Sequence, residues 1–285
     1  MNYLELQNHE CAATVGQPVR PEDALGWQEI MPNTTVTCGG KPVLVYGYLA
    51  DEPSGAFAVE QACRLVEYSR NPRMTQASGK RGRGGRIISH DTKFGYRPQR
   101  PVYGLPAGPC EFNSKYPGHY AALQRMAAWL QMEYQIRNPE KFGHHVESMA
   151  GVRPDCRING VESIFTQGVM NKANILPYHY DSGNFPGTWS AMVYFTAGMQ
   201  GGNLFLPSLR AQLVVHTHTY VLFDGQGTLH GVQPAVGVRP GAYRYSLVFY
   251  ALQLMRRVGS QQEQLEKIRR SDMVKHKKAL GKPLA

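Results

Sequence analysis

Apolar and polar positions divide the chain into two parts of different character. From residue 157 onward, short apolar or alternating runs occupy 158–165, 176–181, 189–196, 203–207, 213–223, 229–234 and 243–252, with Gly, Pro, Asn and Asp between them. Successive side chains of a strand point to opposite faces, and runs of this length bounded by turn formers read as strands. Many short strands punctuated in this way predict a sandwich or barrel. Gln200-Gly-Gly202 and Asp224-Gly-Gln-Gly227 read as turns or bulges.

The first half of the chain mixes spacings. Residues 1–41 are rich in turn formers and predict irregular chain covering the core, and 42–49 has the β-branched and aromatic content of a strand. Residues 54–70 predict a helix with Ser54 as N-cap, Phe57, Cys63 and Val66 at helical spacing, and Asn71-Pro72 as the stop. Residues 117–137 carry a cleaner stripe of Tyr120, Leu123, Ala127, Leu130 and Tyr134, ended by Asn138-Pro139. Residues 260–280 predict a last, basic helix. The expected plan is mainly β with helical additions. A covering region (1–156) precedes a β core (157–255) and a basic C-terminal helix or tail (256–285), all in one compact domain.

Charge changes this picture at two places. The net charge is +10, and residues 70–100 hold nine Lys or Arg against one acid, Asp91. The centre of that run is too Gly-rich for helix or strand. It reads either as a solvated loop or as a phosphate clamp, with Lys80, Arg81, Arg83 and Arg86 as contacts to a nucleic acid and Phe94 and Tyr96 as aromatics for bases or for the core. Residues 256–285 hold nine Lys or Arg against three acids, a charge balance suited to a solvated helix. Residues 1–10 are polar, so no secretory leader is expected, and no apolar run approaches the ~20 residues of a membrane span. Cys11, Cys38, Cys63, Cys110 and Cys156 are odd in number and never form CxxC, which fits a reducing, intracellular setting.

The candidate chemistry lies between residues 176 and 252. His179 and Asp181, two apart in a predicted strand, share a face. With His230 from another strand they make two imidazoles and one carboxylate, the set that holds non-haem Fe(II) and leaves positions open. Arg244 offers a fixed fork for the carboxylate of a cosubstrate, and Ser246 on the same face adds a hydroxyl donor. The cosubstrate implied is 2-oxoglutarate. Two rival sets fit a metal less well. His145-x-Glu147 lies in a loop-like stretch with no strand to align it. His216-x-His218 lacks the glutamate such a pair would use and reads as the outer face of a strand.

These residues resemble the jelly-roll Fe(II)/2-oxoglutarate oxygenases. The string from Arg244 to Tyr250 (RYSLVFY) and the HxDxxN string from His179 to Asn184 resemble more particularly the ten-eleven-translocation and base-J-binding hydroxylases. That resemblance covers about a quarter of the chain. It implies a double-stranded β-helix (jelly roll) flanked by α-helices. It implies hydroxylation of the 5-methyl group of a pyrimidine in DNA, 5-methylcytosine before thymine, with the base flipped out of the duplex. Asn184 would contact that base and Tyr250 would stack on it. The chain departs from the methylcytosine members in carrying Leu252 where they have a base-reading His, and in lacking their cysteine-rich zinc region. The family's second cosubstrate arginine has no motif here; Arg153 and Arg157 are the candidates. Two other classes stay open: a 2-oxoglutarate oxygenase of a protein side chain or small molecule, and a nucleic-acid-binding protein with an inactive oxygenase core.

Overall fold

In the computed structural model of the protein, the described residues are 1–68, 73–75 and 87–279. Lys80, Arg81, Arg83 and Arg86 lie outside them. Among the described residues the architecture is a double-stranded β-helix core flanked by α-helices. Its strands are β1 (Thr34–Cys38), β2 (Lys41–Tyr48), β3 (Ile87–Arg97), β4 (Gln167–Lys172), β5 (Ser190–Ala197), β6 (Leu204–Leu206), β7 (Ala211–Leu213), β8 (Thr219–Phe223), β9 (Gly231–Val232) and β10 (Tyr243–Tyr250). The larger sheet runs β1-β2-β8-β5-β10-β4-β3, all antiparallel neighbours, with short strands at both ends. The smaller sheet is β9-β6-β7, extended by the parallel strand Gln28–Ile30.

The alternation read from the sequence sets the two faces of the larger sheet. Met192 and Tyr194 of β5, Val221 and Phe223 of β8, and Leu44 and Tyr46 of β2 turn inward. They meet Leu204, Leu206, Ala211, Leu213 and Val232 of the smaller sheet. The intervening Ala191, Val193 and Phe195, with Leu222, Leu247 and Phe249, face the helices. Those helices are α1 (Ala56–Arg64), α2 (Pro117–Arg137) and α3 (Pro139–Ser148), and α4 (Gln261–Ala279) closes the chain. The α2 stripe is as expected: Leu123, Ala127, Leu130 and Tyr134 are at most 1% exposed. Burying a side chain of this kind contributes about 1.5–3 kcal/mol, so α2 alone is a large share of what holds the helical layer to the sheet.

Several sequence-level expectations need correction. Ser54 ends a short helical turn (Asp51–Ser54), and Gly55, with a φ of 64°, begins α1. The buried face of α1 is Val59, Ala62 and Cys63, whereas Phe57 is 73% exposed. Residues 158–165 hold the 3-10 turn Gly160–Glu162 rather than a strand. The run 213–223 is interrupted by a turn where His218 has a φ of 55°, so it splits into the end of β7 and β8. The stretch after Asn138 is helix α3: Asn138 Oδ1 accepts from Lys141 N at 3.1 Å and Pro139 stands at the first helical position. The sequence predicts loop for the basic stretch, but from residue 87 it is β3, which joins the core sheet beside β4.

Candidate metal centre and adjoining cavity

Two backbone hydrogen bonds bring the histidines together. His179 N donates to His230 O at 2.8 Å and His230 N donates to His179 O at 3.1 Å, an isolated antiparallel bridge. Residues 176–181 are thus not a full strand, but the bridge gives the same result and leaves the two ring centroids 4.3 Å apart. Each Nδ1 lies 2.8 Å from a backbone oxygen two residues earlier, Pro177 O for His179 and Thr228 O for His230. A carbonyl only accepts, so Nδ1 is the donor in both rings, and Nε2 is the ring nitrogen left for a metal. Asp181 is fixed by its N–H on Gly225 O at 2.9 Å, which sets Oδ1 3.7 Å from His179 Nε2.

One ligand atom from each of His179, Asp181 and His230 lies within 4.8 Å of the others. His230 is 2% exposed, and burial, reinforced by His179, pushes its pKa down to about 4 although Asp181 opposes this. Its imidazole is therefore neutral near pH 7 and available as a donor. Two converging imidazoles and a carboxylate fit a first-row divalent metal with open positions. The rival sets do not converge. His145 is fully buried on α3 while Glu147 is exposed, since residues two apart on a helix diverge. His218 lies 3.2 Å from Glu60 Oε2 instead of pairing with His216.

A cavity of about 570 Å³ opens beside the three ligands. Its walls include Tyr250 and Val248 of β10, Val169 and Asn171 of β4, Asp91 and Lys93 of β3, and Asn184 and Leu252. Asn184 is pinned by its N–H on Asp181 O at 3.0 Å and by a bridge to Leu252, and its Nδ2 donates to Ser190 Oγ at 3.0 Å. The end of that loop is held by Trp189, which stacks on Tyr134 of α2 at 5.3 Å and donates its N–H to the Tyr134 hydroxyl. Tyr250 donates its hydroxyl to Gln167 Oε1 at 2.9 Å, which fixes the ring against the cavity.

Strand alternation puts Arg244 and Ser246 on the same face of β10 as Val248 and Tyr250. Neither lines the cavity, but Asn171, the register partner of Ser246, does. Arg244 is 2% exposed. Its Nη2 donates to Gly202 O at 2.9 Å, its guanidinium lies 5.5 Å from the Tyr194 ring, and its Nε has no partner. The Tyr194 hydroxyl is also buried without a partner. A buried guanidinium with no carboxylate is costly, so this pair of orphaned groups fits an anionic ligand with oxygens to accept from both. Arg153 and Arg157 do not take part. Arg153 pairs with Asp155 at 2.6 Å, and Arg157 donates to the carbonyls of Met149, Val152 and Val161.

Sequence reasoning passed over Asp91 and Lys93, because they stand in a run dominated by charge and glycine. The signal was present: Thr92, Phe94 and Tyr96 alternate with Asp91, Lys93 and Gly95. Phe94 is fully buried in the helical layer and Tyr96 packs against it, so both anchor β3 to the core and leave the cavity to the other face.

Compared with solved structures, the chain matches NgTET1, solved in complex with 5mC DNA. The TM-score is 0.58 at 14% identity, over 86% of this chain and 90% of that one. The chain has the fold of NgTET1. NgTET1 thereby supports the jelly-roll architecture independently of the short motifs. Two weaker likenesses are an oxidoreductase of the 2OG-Fe(II) oxygenase family from Burkholderia pseudomallei (TM-score 0.38, 13% identity, 76% of this chain and 87% of that one) and a viral collagen prolyl hydroxylase from Paramecium Bursaria Chlorella virus-1 (TM-score 0.37, 13% identity, 73% and 94%). No family model and no curated protein matches the chain.

Proposed function

We propose that the protein is an Fe(II)- and 2-oxoglutarate-dependent dioxygenase that hydroxylates the 5-methyl group of a pyrimidine in DNA, 5-methylcytosine before thymine. The observation that carries this reading is the convergence of His179, Asp181 and His230 at a cavity whose wall strand also bears a buried arginine lacking a carboxylate. His179, Asp181 and His230 would hold Fe(II), which supplies oxidising chemistry: dioxygen and 2-oxoglutarate are consumed, one oxygen enters the substrate C–H bond, and succinate and carbon dioxide leave.

The chain's own residues do the remaining work. Arg244 and Ser246 would receive the far carboxylate of 2-oxoglutarate through a two-pronged contact and a hydroxyl. The Nδ1 hydrogen bonds to Pro177 O and Thr228 O would keep both imidazoles oriented as metal ligands. The cavity, about 570 Å³, is in the size range of small-molecule sites and suits one flipped base. Tyr250, its ring fixed through Gln167, would stack on that base, and Asn184, its amide held by Ser190, would meet its polar edge. Extruding the base costs a few kcal/mol, which stacking and edge contacts offset. The net charge of +10 favours a polyanionic partner.

The test is nucleoside mass spectrometry after incubation with methylated DNA, unmodified DNA or RNA, with iron and 2-oxoglutarate supplied. The expected product is 5-hydroxymethylcytosine from methylated DNA, lost in His179→Ala and Asp181→Ala. Tyr250→Ala should slow base oxidation by the equivalent of about 1–3 kcal/mol of stacking while leaving iron and 2-oxoglutarate binding in place. Succinate formed only with a protein or small-molecule substrate, and no base product, would move the assignment to that other class.

A further inference from the structure

We propose that Asp91 reads the exocyclic amino group of the substrate base and so sets the preference for a cytosine ring over a thymine ring. This rests on base oxidation in the cavity described above. Asp91 reaches the site by register: it pairs with Asn171 on β4, Asn171 pairs with Ser246 on β10, and Ser246 pairs with Tyr194 on β5. All four therefore lie in one row across the inner face of the sheet, and Asp91 lines the cavity. Its Oδ1 is buried and has no hydrogen-bond partner. Its charge is also felt at Tyr250, whose hydroxyl is pushed up first by burial and further by Cys110, Asp181 and Asp91. Asp91 and Tyr250, the ring expected to stack on the base, line the same cavity.

A buried acceptor left unpaired is destabilising, and a ligand that supplies a donor removes the penalty. Cytosine carries an amino group at C4. Thymine carries an oxygen there, which would face the carboxylate acceptor to acceptor. Discrimination then comes from both an attraction and a repulsion. Two neighbouring wall residues cannot supply this contrast: Leu252 is apolar and Lys93 presents only donors.

The experiment uses the full chain and paired duplexes that differ only in 5-methylcytosine or thymine at one position. Wild type should favour 5-methylcytosine in kcat/KM on the order of 10- to 100-fold, the size of one hydrogen bond to a charged group. Asp91→Ala should lower that ratio roughly tenfold or more. Asp91→Asn should lower it further by raising thymine oxidation, because its amide can donate to the thymine oxygen. Fluorescence anisotropy with the same duplexes, without iron, should show the same loss of preference in binding, while 2-oxoglutarate binding by calorimetry stays as in wild type. An unchanged ratio in both variants, with wild type oxidising 5-methylcytosine, overturns the role of Asp91 alone. No hydroxymethyl product from wild type on either duplex overturns base oxidation itself and this inference with it.

Discussion

Two glycines make room for the two functional ends of the site. A Cβ at Gly225 would stand 2.5 Å from Asp181 Oδ2, and a Cβ at Gly202, where φ is +78°, would stand 2.7 Å from Arg244 Nε. Gly225→Ala is therefore expected to displace the carboxylate ligand. Titration with Mn(II) or Co(II) should show an affinity about 10–100-fold lower, the usual cost of disturbing a ligand's support; wild-type affinity would mean that Asp181 is not a ligand. Arg244→Lys tests the other end. An ammonium cannot reproduce the fork, so the KM for 2-oxoglutarate should rise about tenfold or more, the equivalent of losing a charge-assisted hydrogen bond. Ser246→Ala should raise it less. If KM does not move in the Arg244 variant, another group holds the carboxylate.

At the scale of elements, helix α3 gives a pH test. His145 sits fully buried between Tyr134 and Phe165, and burial, with some help from His144, takes its pKa from 6.5 down to about 3. Below pH 6.5 the unfolded chain takes up a proton that the folded chain refuses. This contribution to stability is thus complete above about pH 6.5 and is lost as pH falls toward 3, with a slope of up to about 1.4 kcal/mol per pH unit. Urea unfolding at pH 7.5 and 5.5 should show wild type losing about 1.4 kcal/mol more than His145→Gln between those pH values; equal losses would mean that the imidazole titrates freely. The start signal of α3, Asn138-Pro139, also reads as the stop of α2, and its short apolar content and two adjacent histidines hide the helical period. The neighbouring α2 was legible to the residue, since its stripe from Tyr120 to Tyr134 runs for about four turns. Strands β5, β8 and β10 were legible for the same reason: each buries both faces between layers, so the apolar content is dense. The segment 176–181 has the pattern of a strand but forms only an isolated bridge, His179 to His230, with single backbone hydrogen bonds to other loops. The convergence of His179, Asp181 and His230 was still readable, because a two-residue spacing serves a bridge as well as a strand.

At the scale of the molecule, what the sequence concealed was the reach of the first half. Residues 1–156 read as a cover, yet β1, β2 and β3 pair within the core sheet, and β3 brings Asp91 and Lys93 to the cavity. Long-range pairing leaves no local pattern, so periodicity cannot announce it. The consequence bears on nucleic-acid binding. The run containing Lys80, Arg81, Arg83 and Arg86 ends immediately before β3, so the basic stretch and the cavity wall are continuous in the chain. Helix α4, with its own basic residues, docks beside residues 99–107 through Gln264. Replacing Arg81, Arg83 and Arg86 together with Ala should therefore weaken duplex binding. It should also reduce the slope of log K against log salt by about 0.9 for each phosphate contact removed. Replacing Lys267, Arg269 and Arg270 of α4 should leave the slope unchanged. A slope that falls with the α4 variant and not with the triple arginine variant would move the DNA track to the C-terminal helix.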